Sequence, residues 1–178
     1  MISVNDNYLS EEQFKSLTSI HLEYNKVHWV GKKSNPENAL HELIQSINEE
    51  GIGATAWYNI RPINPKLHND ISSYTTYMGK SYKPSKLPKR TYLYYIHAPK
   101  TGGQLIIPDI DEEIKPISNR LVSFPIQYDH KIESYTGNRV SIGIIFWPEI
   151  PSIYKNANEN NILTFNRLWE EEDKRNTI

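Results

Sequence analysis

Residues 91–108 read TYLYYIHAPKTGGQLIIP and contain two short apolar segments joined by a glycine turn. Residues 91–97 and 104–107 are rich in aromatic and β-branched side chains, a composition that favours strands. The turn between them, and the proline at position 108, end each segment. Further segments of the same character are predicted as strands at residues 54–60, 67–74, 120–124 and 139–146.

The first third of the chain is predicted to be helical. Ser10 and Gln13 have the spacing of a capping box, which starts a first helix. Asn35 and Pro36 supply an N-cap and a first-turn proline for a second helix, and Gly51 is expected to end it. Apolar side chains recur at helical spacing at Phe14, Leu17, Ile20 and Leu22, and then at Leu40, Leu43, Ile44 and Ile47. Short strands after two helices predict a mainly β protein of the α+β class, a barrel or sandwich with helices packed on one outer face.

Length and composition limit the class of protein. The chain has 178 residues, which suits one domain with a helical part over 1–52, a β core over 53–150 and a C-terminal tail over 151–178. The apolar pattern of residues 158–175 suggests a last helix. A net charge of −1 points to neither a nucleic-acid nor a membrane partner, and the lack of cysteine excludes disulfides and thiolate metal sites. No signal-like or membrane-spanning apolar stretch occurs, so a cytoplasmic protein is expected, and the Asn-, Ile- and Lys-rich composition suggests a bacterial or viral genome.

His68 and Asp70, in the segment LHNDISSY at 67–74, stand two residues apart. On a strand such residues point to the same face, so an imidazole nitrogen and a carboxylate oxygen can reach one point. His130 follows the predicted strand 120–124 and would add a second imidazole. Two histidines and one carboxylate form the ligand set of non-haem Fe(II) oxygenases, which leaves positions open for substrate and oxygen. The alternative is a polar strand end for the pair and a surface loop for His130.

Arg139 opens the segment RVSIGIIF, whose alternation places Arg139, Ser141 and Gly143 on one face and apolar side chains on the other. A guanidinium inside a barrel costs free energy unless an anion accompanies it. A dicarboxylate could satisfy the guanidinium through a bidentate pair. The alternative is an exposed arginine at the start of a strand.

Together these motifs resemble the Fe(II)/2-oxoglutarate-dependent dioxygenases, and within them the prolyl 4-hydroxylase-like branch. The resemblance extends over about residues 54–147 and rests on HND, on His130 and on RVS beginning nine residues later, with TYLYYI, TGGQLIIP and NRLVSFP between them. Gln104 stands where many relatives have Glu, and the basic residue of RVS is Arg where collagen-type enzymes usually have Lys. The resemblance implies Fe(II) ligands at His68, Asp70 and His130. It also implies a 2-oxoglutarate pocket formed by Arg139, Tyr95, Tyr58, Ser141 and Leu105.

The fold implied by the resemblance is a double-stranded β-helix, a jelly-roll or cupin-like barrel buttressed by the N-terminal helices. The implied reaction uses Fe(II), 2-oxoglutarate and O2 to hydroxylate a C–H bond, with release of succinate and CO2. A prolyl or other residue of a peptide or protein is the expected substrate. The alternatives are the same chemistry on a free amino acid or small metabolite, and a metal-binding module without catalysis.

Residues 72–90 join the ligand motif to the next strand, in the place where relatives carry a mobile lid. The residues proposed to contact a substrate are Tyr74, Tyr77, Lys80, Tyr82 and Arg90. The alternative is a solvated loop that its charge keeps away from the core. His97 is expected to be an ordinary strand-end residue. The sequence leaves the oligomeric state and the identity of the substrate open.

Overall fold

The structure is a computed structural model that describes residues 1–21, 23–60, 66–70 and 86–166. The helices are α1 (Glu11–Thr18) and α2 (Ala39–Ser46). The strands are β1 (Ser3–Asn5), β2 (Lys26–Gly31), β3 (Gly53–Asn59), β4 (Arg90–His97), β5 (Thr101–Gly102), β6 (Leu105–Ile107), β7 (Glu112–Ile114), β8 (Arg120–Pro125), β9 (Lys131–Ile132), β10 (Tyr135–Thr136), β11 (Val140–Trp147) and β12 (Ile162–Asn166). Within this part of the chain, no helix is long and apolar enough to cross a membrane.

The strands pair in antiparallel sheets. The main sheet has the order β1-β8-β4-β11-β3-β2-β12. A smaller sheet has the order β7-β6-β9, and β5 pairs with β10. The two longest strands, β4 and β11, are neighbours in the main sheet, with Ser141 opposite Tyr95. Paired residues share a face, so this register decides which side chains meet.

The main sheet has a helical face and an inner face. On the helical face, buried side chains of both helices pack against alternate residues of β3, β4 and β11; the helical side chains are Leu17, Leu40, Leu43 and Ile44. Burial of each such leucine contributes roughly 1.5–3 kcal/mol to the hydrophobic free energy of folding. On the inner face, Leu93 and Phe124 pack with Leu105, Ile107 and Ile114 of the smaller sheet. The predicted arrangement, mainly β with helices on one outer face, is confirmed.

Side-chain caps start both helices. The Gln13 backbone N–H donates to Ser10 Oγ and the Ser10 N–H to Gln13 Oε1, which confirms the predicted capping box. In α2 the cap is Asn38 rather than Asn35, because the Asn38 side chain accepts from two backbone N–H groups of the first turn. The helix also ends well before Gly51, since the backbone at its C-cap is already extended.

Three segments differ from the sequence-based prediction. The first third contains β1 and β2 besides the two helices, and β2 lies inside the main sheet. The tail predicted as a last helix forms β12 along β2, and residues 167–175 lie outside the described part. Every residue of β12 is exposed or only partly buried, so no buried alternation marks the segment as a strand. The predicted strand 67–74 is a single bridge between His68 and His130, with residues 71–74 outside the described part.

Candidate active site

The backbone holds His68 and His130 side by side. The N–H of each donates to the carbonyl of the other, with N···O distances of 3.1 and 2.8 Å, and the ring centroids are 4.5 Å apart. Asp70 places Oδ1 at 4.0 Å from His68 Nε2 and Oδ2 at 3.9 Å from His130 Nε2. One ligand atom from each of the three residues lies within 4.8 Å of the others. The three predicted ligands are therefore brought together and could hold a metal ion.

Hydrogen bonds orient both imidazoles. His68 Nδ1 lies 2.9 Å from the Lys66 carbonyl, and His130 Nδ1 lies 3.2 Å from the Tyr128 carbonyl. Because a carbonyl only accepts, each Nδ1 donates to it, an arrangement that in a neutral imidazole leaves the Nε2 lone pair for a metal. Burial lowers the pKa of His130, and the Asp70 carboxylate opposes this shift. The buried ring is thus held neutral, the form in which histidine binds metals.

Asp70 is buried, and Thr91 orients its carboxylate. Thr91 Oγ1, on β4, donates to Asp70 Oδ2 over 2.5 Å. The neighbouring strand β8 supplies Phe124, whose ring centroid lies 4.8 Å from that of His130. The side chain of His68 is 45 % exposed, against 9 % for each of the other two ligands. The group is therefore supported by the main sheet and opens to solvent on the His68 side.

Replacing Thr91 with valine should weaken metal binding by about 10–100-fold, the usual effect of losing a hydrogen-bond partner behind a metal ligand. Valine keeps the shape of threonine and removes only the bond to Asp70. Metal affinity can be measured by competition with a chelator. Thr18→Val, at the end of α1, is the matched control and should leave the affinity unchanged. An unchanged affinity in Thr91→Val would contradict this role.

Arg139 is buried, with 3 % of its surface exposed, and its guanidinium is only partly hydrogen-bonded. Nη1 donates to Ser141 Oγ over 2.9 Å. Nε and Nη2 have no hydrogen-bond partner among the described residues, and neither do the hydroxyls of Tyr95 and Tyr135. The rings of these tyrosines lie 5.2 and 5.9 Å from Arg139 Cζ. A buried cation beside donors that lack acceptors has the chemistry of an anion-binding pocket.

Burial raises the pKa of both phenols in this pocket, and the guanidinium opposes the rise. Both hydroxyls therefore keep their protons at neutral pH. A protonated phenol can donate a hydrogen bond to an anion.

The glycine turn at 102–103 packs against the side chain of Arg139. Both glycines have positive φ, 69° and 78°, a conformation that favours glycine. A Cβ at Gly102 would lie 2.1 Å from the Ser134 carbonyl oxygen. A Cβ at Gly103 would lie 2.8 Å from Pro99 Cγ and 3.3 Å from Arg139 Cδ. The turn can therefore cover the arginine only because both residues lack a side chain.

The histidine–aspartate group and the arginine pocket lie on the same inner face at different depths. Thr91 contacts Asp70, and Tyr95 lies against Arg139 four residues further along β4. Four residues of extended strand separate the Cα atoms of Thr91 and Tyr95 by about 13 Å. The arginine and the three ligands therefore lie on one face of the sheet, separated by about the length of a small extended anion.

Gly143 lies on the inner face between these two regions and adds no side chain there. The indole of Trp57, on the neighbouring strand β3, lies across it. A Cβ at position 143 would stand 2.4 Å from Cζ2 of this indole. The predicted inward glycine of RVSIGIIF thus has a packing role beside the site.

Tyr58 lies outside the site. It pairs with Ile142 and packs in the core of the helical face. Its neighbour Asn59 stands opposite Ser141 and shares the inner face. Because side chains alternate along a strand, a change of one residue reverses the face. The predicted role of Tyr58 beside the metal does not fit its position.

The other predicted residues fall into three groups. Leu105 is fully buried in the same cluster as Tyr95, and Ser141 bonds Arg139. Arg90 donates to the carbonyls of Met1 and Ser123, so its position favours a structural role over substrate contact. His97 is exposed at the end of β4. The remaining members of the predicted substrate loop lie outside the described residues: Tyr74, Tyr77, Lys80 and Tyr82.

Two residues of the site were not predicted from the sequence. Thr91 and Tyr95 stand four residues apart in TYLYY and therefore share one face of the strand. That pattern could have identified Thr91. Tyr135 belongs to a strand of two residues, which has no alternation to interpret.

Solved structures of prolyl hydroxylases share this fold. A prolyl 4-hydroxylase from Pseudomonas putida matches with a TM-score of 0.57 at 13 % sequence identity, over 84 % of this chain and 93 % of that one. A truncated viral collagen prolyl hydroxylase from Paramecium bursaria Chlorella virus-1 matches with a TM-score of 0.55 at 13 % identity, over 81 % and 88 % of the two chains. The sequence matches no protein-family model and no curated protein. At this identity the likeness shows the fold, and the predicted jelly roll is confirmed.

Proposed function

We propose that the chain is an Fe(II)- and 2-oxoglutarate-dependent oxygenase that hydroxylates a C–H bond of a prolyl or other residue in a peptide or protein. The proposal rests on Nε and Nη2 of the buried Arg139 guanidinium, which have no hydrogen-bond partner among the described residues. These atoms form the open edge of the guanidinium, on the same inner face as His68, Asp70 and His130. A metal-binding group alone fits many proteins. A buried arginine that needs an anion, on the same face as these ligands, supports chemistry with an acidic cosubstrate.

A second arginine of the chain illustrates what the open edge can bind. In Arg120, Nε and Nη2 form a bidentate pair with the two carboxylate oxygens of Asp6. In Arg139 the same two nitrogens lack a partner among the described residues. The open edge of Arg139 has the geometry that binds a carboxylate, and the distal carboxylate of 2-oxoglutarate would accept hydrogen bonds from both nitrogens.

The donor set of the three ligands fits Fe(II). Two neutral imidazoles and one carboxylate match the facial set of non-haem iron oxygenases. One ligand atom from each residue lies within 4.8 Å of the others, so small side-chain rotations would bring all three to one ion at first-row metal distances of about 2.0–2.2 Å. When bound, the iron and the 2-oxo acid would supply the activation of O2, with succinate and CO2 as products. The side chains His68, Asp70 and His130 would hold the ion.

The remaining residues bind and orient the cosubstrate. Arg139 would hold the distal carboxylate through Nε and Nη2, while Ser141 keeps the guanidinium in place by accepting from Nη1. Tyr95 would donate its hydroxyl to the same carboxylate. Leu93 and Leu105, buried beside Tyr95, would exclude water from this end of the site. Tyr58 has no part in the proposal, because its ring packs on the helical face.

The choice of a prolyl residue as first substrate rests on the likeness of the fold to the two prolyl hydroxylases. The test is a screen for succinate release over proline-containing peptides and free amino acids, with Fe(II), 2-oxoglutarate and O2. We expect release above background with a subset of the peptides. Asp70→Asn is the inactive control. Succinate release only with free amino acids would indicate a small metabolite as the substrate in place of a peptide. No release above the Asp70→Asn control would contradict the proposal.

A further inference from the structure

Tyr135 lies in the arginine pocket without an assigned role. It belongs to β10, which pairs with β5 and so brings the ring next to the glycine turn. A Cβ at Gly103 would stand 3.4 Å from Tyr135 Cβ. The phenol oxygen is buried and has no hydrogen-bond partner within the described part of the chain.

A packing role alone does not account for the hydroxyl of Tyr135. Burying a hydroxyl without a partner costs free energy, so a ring needed only to cover Arg139 would be better supplied by phenylalanine. Burial raises the pKa of this phenol, which therefore keeps its proton as a donor. The hydroxyl requires an acceptor that enters the pocket.

The donors of the pocket match the capacity of one carboxylate. The guanidinium of Arg139 offers Nε and Nη2, and Tyr95 and Tyr135 flank it with one hydroxyl each, which makes four donor atoms without partners among the described residues. An ionised carboxylate has about four lone-pair sites on its two oxygens. A ligand with a carboxylate at this end could therefore accept from all of them.

We propose that Tyr135 is a further cosubstrate-binding residue, which with Tyr95 and Arg139 encloses the distal carboxylate of the cosubstrate. The inference rests on the proposed function, since it assigns one more contact to the same cosubstrate. A 2-oxo acid without the second carboxylate would leave the arginine and both hydroxyls buried without an acceptor, and would bind poorly.

The experiment compares 2-oxoglutarate with 2-oxopentanoate, which has the same chain length but no second carboxylate. Binding to the Fe(II)-loaded protein is measured by calorimetry without oxygen, for wild type and Tyr135→Phe. Tyr135→Phe keeps the ring and removes only the hydroxyl. We expect it to weaken 2-oxoglutarate about ten-fold or more and to leave 2-oxopentanoate unchanged. Tyr8→Phe, on the helical face, is the matched control and should change neither affinity.

Each outcome decides the proposal. Equal weakening of both acids in Tyr135→Phe would assign the residue to packing, and no weakening of either would exclude the contact, so both results overturn the inference. Metal content and thermal unfolding of the variant show that the protein is intact. A wild-type protein that binds the two acids equally would overturn the proposed function itself, which distinguishes that failure from a failure of Tyr135 alone.

Discussion

Replacing Arg139 with methionine should weaken 2-oxoglutarate binding by about two to four orders of magnitude and should also stabilise the ligand-free protein. The loss of affinity follows from removing two charge-assisted hydrogen bonds, each worth roughly 1.5–3 kcal/mol. The gain in stability follows from replacing a buried, incompletely paired charge by an apolar side chain of similar length, which should raise the free energy of unfolding by about 1–3 kcal/mol. Calorimetry measures the first effect and thermal unfolding without ligand the second.

Arg120→Met is the matched control for this prediction. The guanidinium of Arg120 is already paired with Asp6 through the two nitrogens that are open in Arg139. Its loss should therefore lower the thermal unfolding temperature and leave 2-oxoglutarate binding unchanged. If Arg139→Met also lowered the unfolding temperature and kept full affinity, Arg139 would be a structural residue. If the unfolding temperature rises in Arg139→Met and falls in Arg120→Met, Arg139 lowers the stability of the ligand-free protein and serves binding.

Replacing Asp70 with asparagine should abolish metal retention while leaving the fold intact. The amide has the same shape but lacks the charge, and its NH2 group cannot bind a metal. We expect the metal affinity to fall by more than about 10–100-fold, which is the usual effect of losing a residue that hydrogen-bonds to a metal ligand. The unfolding temperature should change little, because an asparagine of the same shape can still accept the hydrogen bond from Thr91. Metal content after dialysis and chelator competition measure the effect.

Asp111→Asn is the control for the charge change. Asp111 is exposed and has a φ of 54°, a conformation that asparagine tolerates. It should retain metal like the wild type. Metal retention by Asp70→Asn at the wild-type level would show that the carboxylate is not a ligand.

The long strands were predictable from the sequence because each carries a continuous apolar pattern. β4, β8 and β11 were expected within one or two residues of their observed bounds. β2 and β12 were missed for a tertiary reason. β12 is an edge strand paired only with β2, so it is half exposed, and β2 precedes a helix in a region whose other signals are helical.

The site was predictable where spacing alone determines proximity. His68 and Asp70 stand two positions apart, and that interval was enough to suggest a shared ligand role, although the strand assumed for them is a single bridge. The site could not be predicted where it depends on the pairing register of neighbouring strands. The choice between Tyr58 and Asn59 depends on which residue of β3 lies opposite Ser141, and the sequence of β3 does not contain that information.

The position of Tyr135 depends on a contact between distant segments. Its ring reaches Arg139 because β10 pairs with the glycine turn at 101–102. Neither strand is long enough to be recognised from its own residues. The place of Tyr135 in the arginine pocket therefore became apparent only from the structure.

The most direct test of the central claim is an anaerobic titration of the Fe(II)-loaded protein with 2-oxoglutarate, followed by visible absorption. A 2-oxo acid that chelates iron in this site should produce a weak metal-to-ligand charge-transfer band that saturates. The band should require much higher 2-oxoglutarate in Arg139→Met and should be absent in Asp70→Asn. No band in the wild-type protein, together with no detectable binding of 2-oxoglutarate, would contradict the claim that the three ligands and Arg139 form one oxygenase site.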